Sequence, residues 1–249
     1  MGITIKTDEE IRKIREAGRI LAKTQELLAS KIKAGITTME LDQIAEEFIR
    51  SQGATPSFKG LYGFPASICT SINEEVVHGI PSVKRMLKEG DIISIDVGVC
   101  LDGYHSDGAK TYAIGEVAEE TKRLIEVTKQ SFYEGIRFAR PGNHLYEISS
   151  AIQKYVEANG FSVVRDLTGH GVGRKLHEEP QIPNFAVPGR GPKLVKGMVL
   201  AIEPMVNMGS YQVRILADNS VVTRDGSLSA HYEHTIAITD GEPEILTTL

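Results

Sequence analysis

Four acidic residues stand where acids are costly. Asp96 lies inside the apolar run IISIDVGV, Glu203 lies inside MVLAIEPMV, and Glu233 directly precedes HTIAI. A carboxylate in an apolar strand needs a partner, hydrogen bonds or a metal. Strand alternation puts Ser94 and Asp96 on one face and Ile93, Ile95 and Val97 on the other. Asp107 follows on the return arm of a hairpin, within reach of Asp96. A single strand acid is commonly a salt-bridge partner, but two repeated strand–acid units weaken that reading. Four like charges in one cleft would repel and raise their pKa values unless cations held them. His170 lies in TGHGVG, where flanking glycines let backbone approach a ligand closely; a tight turn with an incidental histidine is the plain alternative. His177 in LHEEP and His78 in VVHGI are weaker signals, since a lone histidine is usually a satisfied core or surface residue. His105, His144, His231 and His234 lack comparable context and are read as structural. Four carboxylates and one imidazole form a hard, oxygen-rich donor set suited to a pair of Mn, Fe, Co or Zn ions. Two such ions can polarise a carbonyl and share a hydroxide, so the chemistry implied is metal-assisted hydrolysis. The chain has no GxxxxGK[ST], HExxH, GxSxG or CxxC motif.

The elements that hold these residues repeat. Thr7 with Glu10 reads as a capping box opening a helix that Gly35 ends; Thr37 with Glu40 opens a second, which Gly53 stops. Segments 91–99 and 104–114, joined at 101–103, read as a β-hairpin. Helical patterns return over about 119–138 and 143–158. Strand-like segments follow at 163–167, 197–206 and 231–239. Adding 107 carries Gly35 to Gly142, Gly53 to Gly160, Gly90 to Gly197 and Asp96 to Glu203. One offset for three glycines and an acid suggests a duplicated α/β unit. The spacing then diverges: 107 − 96 = 11, whereas 233 − 203 = 30, so the second hairpin is expected to carry an insertion. Two such halves are expected to form one curved, mostly antiparallel sheet with helix pairs on its outer face and a site between the halves.

Composition sets the bounds. The 249 residues are 41% apolar and 24% charged, enough for a sizeable core. With 28 Lys+Arg against 33 Asp+Glu, the net charge of −5 argues against a protein organised around nucleic-acid phosphates. No apolar run approaches the roughly 18 residues of a membrane span. Cys69 and Cys100 fit neither a zinc spacing nor a disulfide framework, and no basic-then-apolar signal peptide opens the sequence, so a cytoplasmic setting is expected.

At the residues named above, the sequence resembles the type I methionine aminopeptidases. NEEVVHGIPS (73–82), SIDVGV (94–99), YHSDGAKTY (104–112), TGHGVGRKLHEEPQI (168–182), LAIEPM (200–205) and SAHYEHTIAIT (229–239) look like that family's blocks, in order. The resemblance implies an α+β duplicated "pita-bread" fold, in a single catalytic domain of 1–249 built from halves of about 7–114 and 115–240. It implies a dinuclear site of divalent ions (Co, Mn, Fe or Zn) on Asp96, Asp107, His170, Glu203 and Glu233, with Asp107 and Glu233 bridging. His78 and His177 match substrate-contacting histidines, and Glu203 doubles as proton carrier. Tyr62, Phe64 and Cys69 fall where the family builds its methionine pocket. Departures stand at Leu167, Leu176 and Tyr62, and the chain has no Trp. The expected activity is removal of the initiator methionine before a small second residue, by attack of a metal hydroxide on the scissile amide. Expected partners are the N-termini of new chains and, transiently, the ribosome, with no nucleic-acid substrate and no membrane; a monomer is expected. A prolidase or aminopeptidase P, or a non-catalytic module of the same fold, are the alternatives.

Overall fold

Four helices line one side of the molecule in two pairs. The computed structural model describes residues 2–249. Helix α1 spans Asp8–Lys31, α2 Thr38–Ser51, α3 Glu119–Ile136 and α4 Leu145–Ala158. Both expected capping boxes form: Glu10 N–H donates to Thr7 Oγ1 at 3.3 Å, and Thr7 N–H to Glu10 Oε2 at 2.9 Å. Thr37 and Glu40 repeat the exchange at 3.2 and 2.7 Å. Glu147 caps α4 by accepting from His144 N–H at 3.1 Å.

The acids ride on antiparallel hairpins. Strands Ile92–Leu101 and Tyr104–Ala113 pair along their whole length, Asp96 opposite Ala109 and Gly98 opposite Asp107. Opposed residues share a face, so Asp96 and Asp107 are diagonal neighbours on it. The other face gives Ile93, Ile95, Val97 and Val99 to a core completed by Leu21, Leu28, Leu41 and Ile49 of α1 and α2. The turn at Asp102 and Gly103 has φ of +50° and +76°, the left-handed pair a two-residue hairpin with matching twist requires. In the second half, Leu200, Ile202, Val206 and Ile236 pack with Leu124, Phe132, Ile148 and Ile152 of α3 and α4.

The strands of the second hairpin differ from expectation. Segment 197–206 is two strands, Val199–Ile202 and Met205–Asn207, and segment 231–239 lies in Ser229–His231 and His234–Ala237. The breaks fall at Glu203–Pro204 and Tyr232–Glu233. Pro204 has no N–H to give the ladder. Register is nonetheless kept across the break: Ile202 opposes His234 and Met205 opposes His231, which sets Glu203 facing Glu233. Segment 163–167 is shorter than expected; only Ser162–Val163 is strand.

The offset of 107 extends to contacts. Gly35 and Gly142 have φ of +93° and +95°, Gly53 and Gly160 +76° and +83°, Gly90 and Gly197 +87° and +89°. The bridge Thr37–Met86 recurs as His144–Lys193. Past the insertion the offset changes: Gly90 N–H donates to Ile114 O, and Gly197 N–H to Ile238 O, both at 2.9 Å, and 238 − 114 = 124. The insertion is therefore 124 − 107 = 17 residues. It forms the hairpin of Val213–Ile215 and Val221–Thr223, which docks on Glu75–Val77. On this register the counterpart of Glu233 is Ala109, not Asp107 as the sequence spacing suggested. Ala109 and Glu233 meet at the seam of the halves and exchange main-chain hydrogen bonds of 3.2 and 2.9 Å.

Candidate metal centre

Each half delivers its acids by a different device. Asp107 is fixed through its main chain: its N–H donates to Thr235 Oγ1 at 3.0 Å, and the Thr235 hydroxyl donates to Asp107 O at 2.8 Å. Gln25 of α1 donates to Gly108 O at 2.9 Å, tying this turn of strand to the helix layer. Glu203 and Glu233 project from the strand breaks. His170 sits on Thr168–Gly171, which pairs with Val199–Ile202 on one side and Glu178–Pro183 on the other. A Cβ on Gly169 would come within 2.3 Å of Ala201 O, and one on Gly171 within 2.2 Å of Glu179 O. Both glycines are thus needed for the histidine's strand to lie between its neighbours.

The five side chains converge. His170 Nε2 is 3.5 Å from Asp107 Oδ2 and 3.6 Å from Glu203 Oε1. Asp96, Asp107 and Glu233 offer oxygens all within 4.8 Å of one another, as do the ligand atoms of His170, Glu203 and Glu233. Asp107 and Glu233 are 3% and 1% exposed, too dry to be left as bare anions. Asp96 Oδ1 and Glu233 Oε1 are buried with no hydrogen-bond partner. Burial first, and then the neighbouring carboxylates, push Asp96 and Glu233 far above the ordinary carboxyl range. Burial opposes charge on His170 too, but the carboxylates of Asp107 and Glu203 outweigh it and hold its imidazole up to about 9. In effect a proton on His170 offsets part of the charge that a cation would neutralise. His170 Nδ1–H donates to Gly171 O at 2.9 Å, so a cation that displaced the Nε2 proton would meet a lone pair aimed at the acids, the arrangement of a metal-bound histidine. Unpartnered buried oxygens, this tautomer and an oxygen-rich donor set fit divalent cations.

A cavity of about 1290 Å³ opens beside the acids. His177 stands edge-on to His170 with ring centroids 4.4 Å apart, and its ligand atom lies within 4.8 Å of those of Asp107 and His170. His78 also lines the cavity, with φ of +63°. Gly79 beside it allows this close approach, since a Cβ there would lie 2.1 Å from Thr70 O. Desolvation by the cavity walls lowers both imidazoles below their ordinary pKa, and for His177 the neighbouring His170 adds to the effect.

The apolar slot differs in membership from the sequence expectation. Phe58, Cys69 and Leu176 form a buried cluster with Leu61 and Phe64 against it. Cys69 is the register partner of Asp96, so the slot adjoins the acids. Tyr62 is not in this cluster: with φ of +49° its side chain turns outward, 85% exposed, and its ring lies parallel to His177 at 6.1 Å on the cavity rim. Phe58 and Leu61 carried no signal in the sequence, being two apolar residues of an irregular loop. His231, read as structural, stands with Nε2 3.6 Å from Glu203 Oε2 and 3.8 Å from Glu233 Oε2.

Acids and a histidine gathered from both halves of a duplicated fold define the class, a metal-dependent hydrolase. The model of metallopeptidase family M24 matches residues 12–240. The chain is 61% identical to a methionine aminopeptidase of Clostridium perfringens over 99% of both chains. A solved methionine aminopeptidase of Thermotoga maritima superposes with a TM-score of 0.97 at 45% identity, covering all of both chains. A prolidase of Pyrococcus furiosus shares the fold at 0.80 and 25% identity, but the match covers 98% of this chain and only 65% of the prolidase. The chain belongs to metallopeptidase family M24, and within it to the type I methionine aminopeptidases.

Proposed function

We propose that this protein removes the initiator methionine from new polypeptides, preferring a small second residue. One observation carries the assignment: the donor cluster adjoins an apolar slot through the register pair of Cys69 and Asp96. An unbranched thioether suits such a slot, because it fits irregular apolar walls and stacks on aromatic edges. The ligands assigned are Asp96, Asp107, His170, Glu203 and Glu233, holding two divalent ions of Mn, Fe, Co or Zn. When bound, such ions supply Lewis-acid polarisation of the carbonyl and an activated water.

The chain's own residues do the rest. The slot of Phe58, Leu61, Phe64, Cys69 and Leu176 fixes the methionine side chain and so aims its carbonyl at the acids. As the water oxygen bonds to the carbonyl carbon, Glu203 takes its proton and passes it to the departing amine nitrogen. His177 donates to the carbonyl oxygen as charge develops there. His78, also on the cavity lining, contacts the scissile amide. Tyr62 stacks on His177 at the rim and limits the size of the second residue.

The unit assigned to this work is one catalytic domain, with halves of about 7–114 and 115–240. A monomer is the expected state; sedimentation at micromolar concentration checks this. Two thiols that form no disulfide support a cytoplasmic setting, where new chains emerge from ribosomes and contact with them would be transient. Among the described residues no helix is long and apolar enough to cross a membrane. The decisive assay compares Met-Ala with Ala-Pro peptides, with and without a chelator. Met-Gly, Met-Ala and Met-Ser peptides should be cleaved well and Met-Leu or Met-Lys poorly, all chelator-sensitive. Preference for Ala-Pro would make the protein a prolidase, and no cleavage of either a non-catalytic module. Metal analysis of protein purified without added metal identifies the ions.

A further inference from the structure

Glu203 lies between two imidazoles. His170 Nε2 is 3.6 Å from its Oε1, and His231 Nε2 is 3.6 Å from its Oε2. His231 is 2% exposed, and its Nε2 has no hydrogen-bond partner. The carboxyl oxygens it faces are Glu203 Oε2 and, at 3.8 Å, Glu233 Oε2. A carboxylate that holds a cation can only accept, so Nε2–H is the tautomer that would complement it.

The duplication explains how His231 comes to be there. Its N–H donates to Thr111 Oγ1 at 2.9 Å, and the Thr111 hydroxyl donates to His231 O at 2.9 Å. Thr235 makes the same two bonds to Asp107, at 3.0 and 2.8 Å. Both pairs are related by the second-half offset, 235 − 111 = 124 and 231 − 107 = 124. His231 is thus the counterpart of Asp107. At one position the first half aims a carboxylate into the centre and the second half aims an imidazole. Yet none of the three compact donor groups includes His231. A buried, unpartnered donor held at a ligand's position but outside the ligand groups acts through another residue.

We propose that His231 is a positioning residue for Glu203: its Nε2–H restrains Oε2, so that Oε1 stays on the side of His170. The proposal rests on the metal centre assigned above. Three variants test it. His231→Gln carries an amide N–H to about the reach of Nε2, His231→Asn places its donor about one bond short, and His231→Leu has none. Calorimetry with Mn(II) should show metal affinity lowered about 10- to 100-fold in the Leu and Asn variants, the usual loss when a residue supporting a ligand is removed. Their kcat on Met-Ala should fall by a similar factor with KM within about twofold, and the Gln variant should stay within about threefold of the parent in both. Equal affinity and kcat in all four proteins overturns the proposal. So do equal losses in the Gln and Leu variants, because the effect would then follow the ring's shape and not its donor. If the Leu variant does not fold, Gln against Asn decides by the same criterion. A parent that binds Mn(II) without cleaving Met-Ala overturns the proposed function instead, and the affinity comparison still judges His231.

Discussion

The histidines at the centre divide by what each nitrogen faces. His170 turns Nε2 to two carboxylates and commits its Nδ1 proton to a carbonyl, as a ligand does. His177 stands edge-on to His170 and parallel to Tyr62 on the cavity lining, the place the proposed function gives to a substrate contact. His170→Ala should therefore lose metal outright by calorimetry, while His177→Ala should bind metal almost as the parent does and lose about 10²–10³ in kcat, the cost of one oxyanion donor. If His177→Ala loses a metal equivalent and His170→Ala keeps both, the two roles are reversed. The acids are visible in the sequence because a charge amid Ile and Val stands out locally. His231 is not visible, because nothing in SAHYEH tells which strand it will face. The family resemblance puts Tyr62 with the slot; its left-handed backbone turns it away, and no periodicity signals that.

At the scale of elements, the hairpins hold their positions because helices dock on their backs. Helix α1 meets the C-terminal segment at Gly18, where a Cβ would lie 2.1 Å from Leu246 O. Gly18→Ala should cost about 1–3 kcal/mol, since backbone must move to admit it. By thermal melting it should fall several degrees below the parent, with Gly241→Ala, which meets nothing within 4 Å, as the unchanged control. Helix α2 is tied to the slot's loop by Glu46, which takes Lys59 at 2.6 Å, Arg50 at 2.9 Å and the Ser67 hydroxyl at 2.9 Å. The Lys59 ammonium foremost, against some burial, and then Arg50 and Ser67 hold the Glu46 carboxyl at about 2, below the usual 4.5. A depressed carboxyl stabilises the fold fully above its unfolded pKa and loses that contribution as pH falls through its folded one. The melting-temperature gap between the parent and Glu46→Gln should hold from pH 7 to about 5 and close between about 4.5 and 2. A gap that does not change with pH would show that the cluster acts through packing and not charge.

For the whole molecule, the centre is where two halves press like charges together. Asp96 and Asp107 come from the first half; His170, Glu203 and Glu233 come from the second. A cation bound there would join the halves and remove the repulsion that helps raise Asp96 and Glu233. Metal at about a hundred times its Kd should therefore stabilise the fold by about 2.7 kcal/mol, which for a domain of this size raises Tm by roughly 5–10 °C. Melting with Mn(II) and then with excess chelator measures it. No rise with metal would mean that the acids are neutralised by protons alone.

Local features can be read from the chain alone. Capping boxes, helix-ending glycines and the apolar stripe of each helix involve residues a few positions apart, so the order of α1 to α4 and the first hairpin follow from the chain. The offset of 107 was legible because glycines forced into positive φ cannot be replaced cheaply. Which residues face one another across the seam depends on long-range strand pairing that no local pattern carries. Strand register set Glu203 against Glu233, made His231 and not Glu233 the counterpart of Asp107, and sized the insertion at 17 residues. That insertion brings Asp218 and Asn219 to the cavity wall beside His78, from more than a hundred positions away in sequence. Side chains on adjoining strands meet because long-range main-chain pairing fixes their register, and a one-residue shift would turn every acid from the cleft to the core.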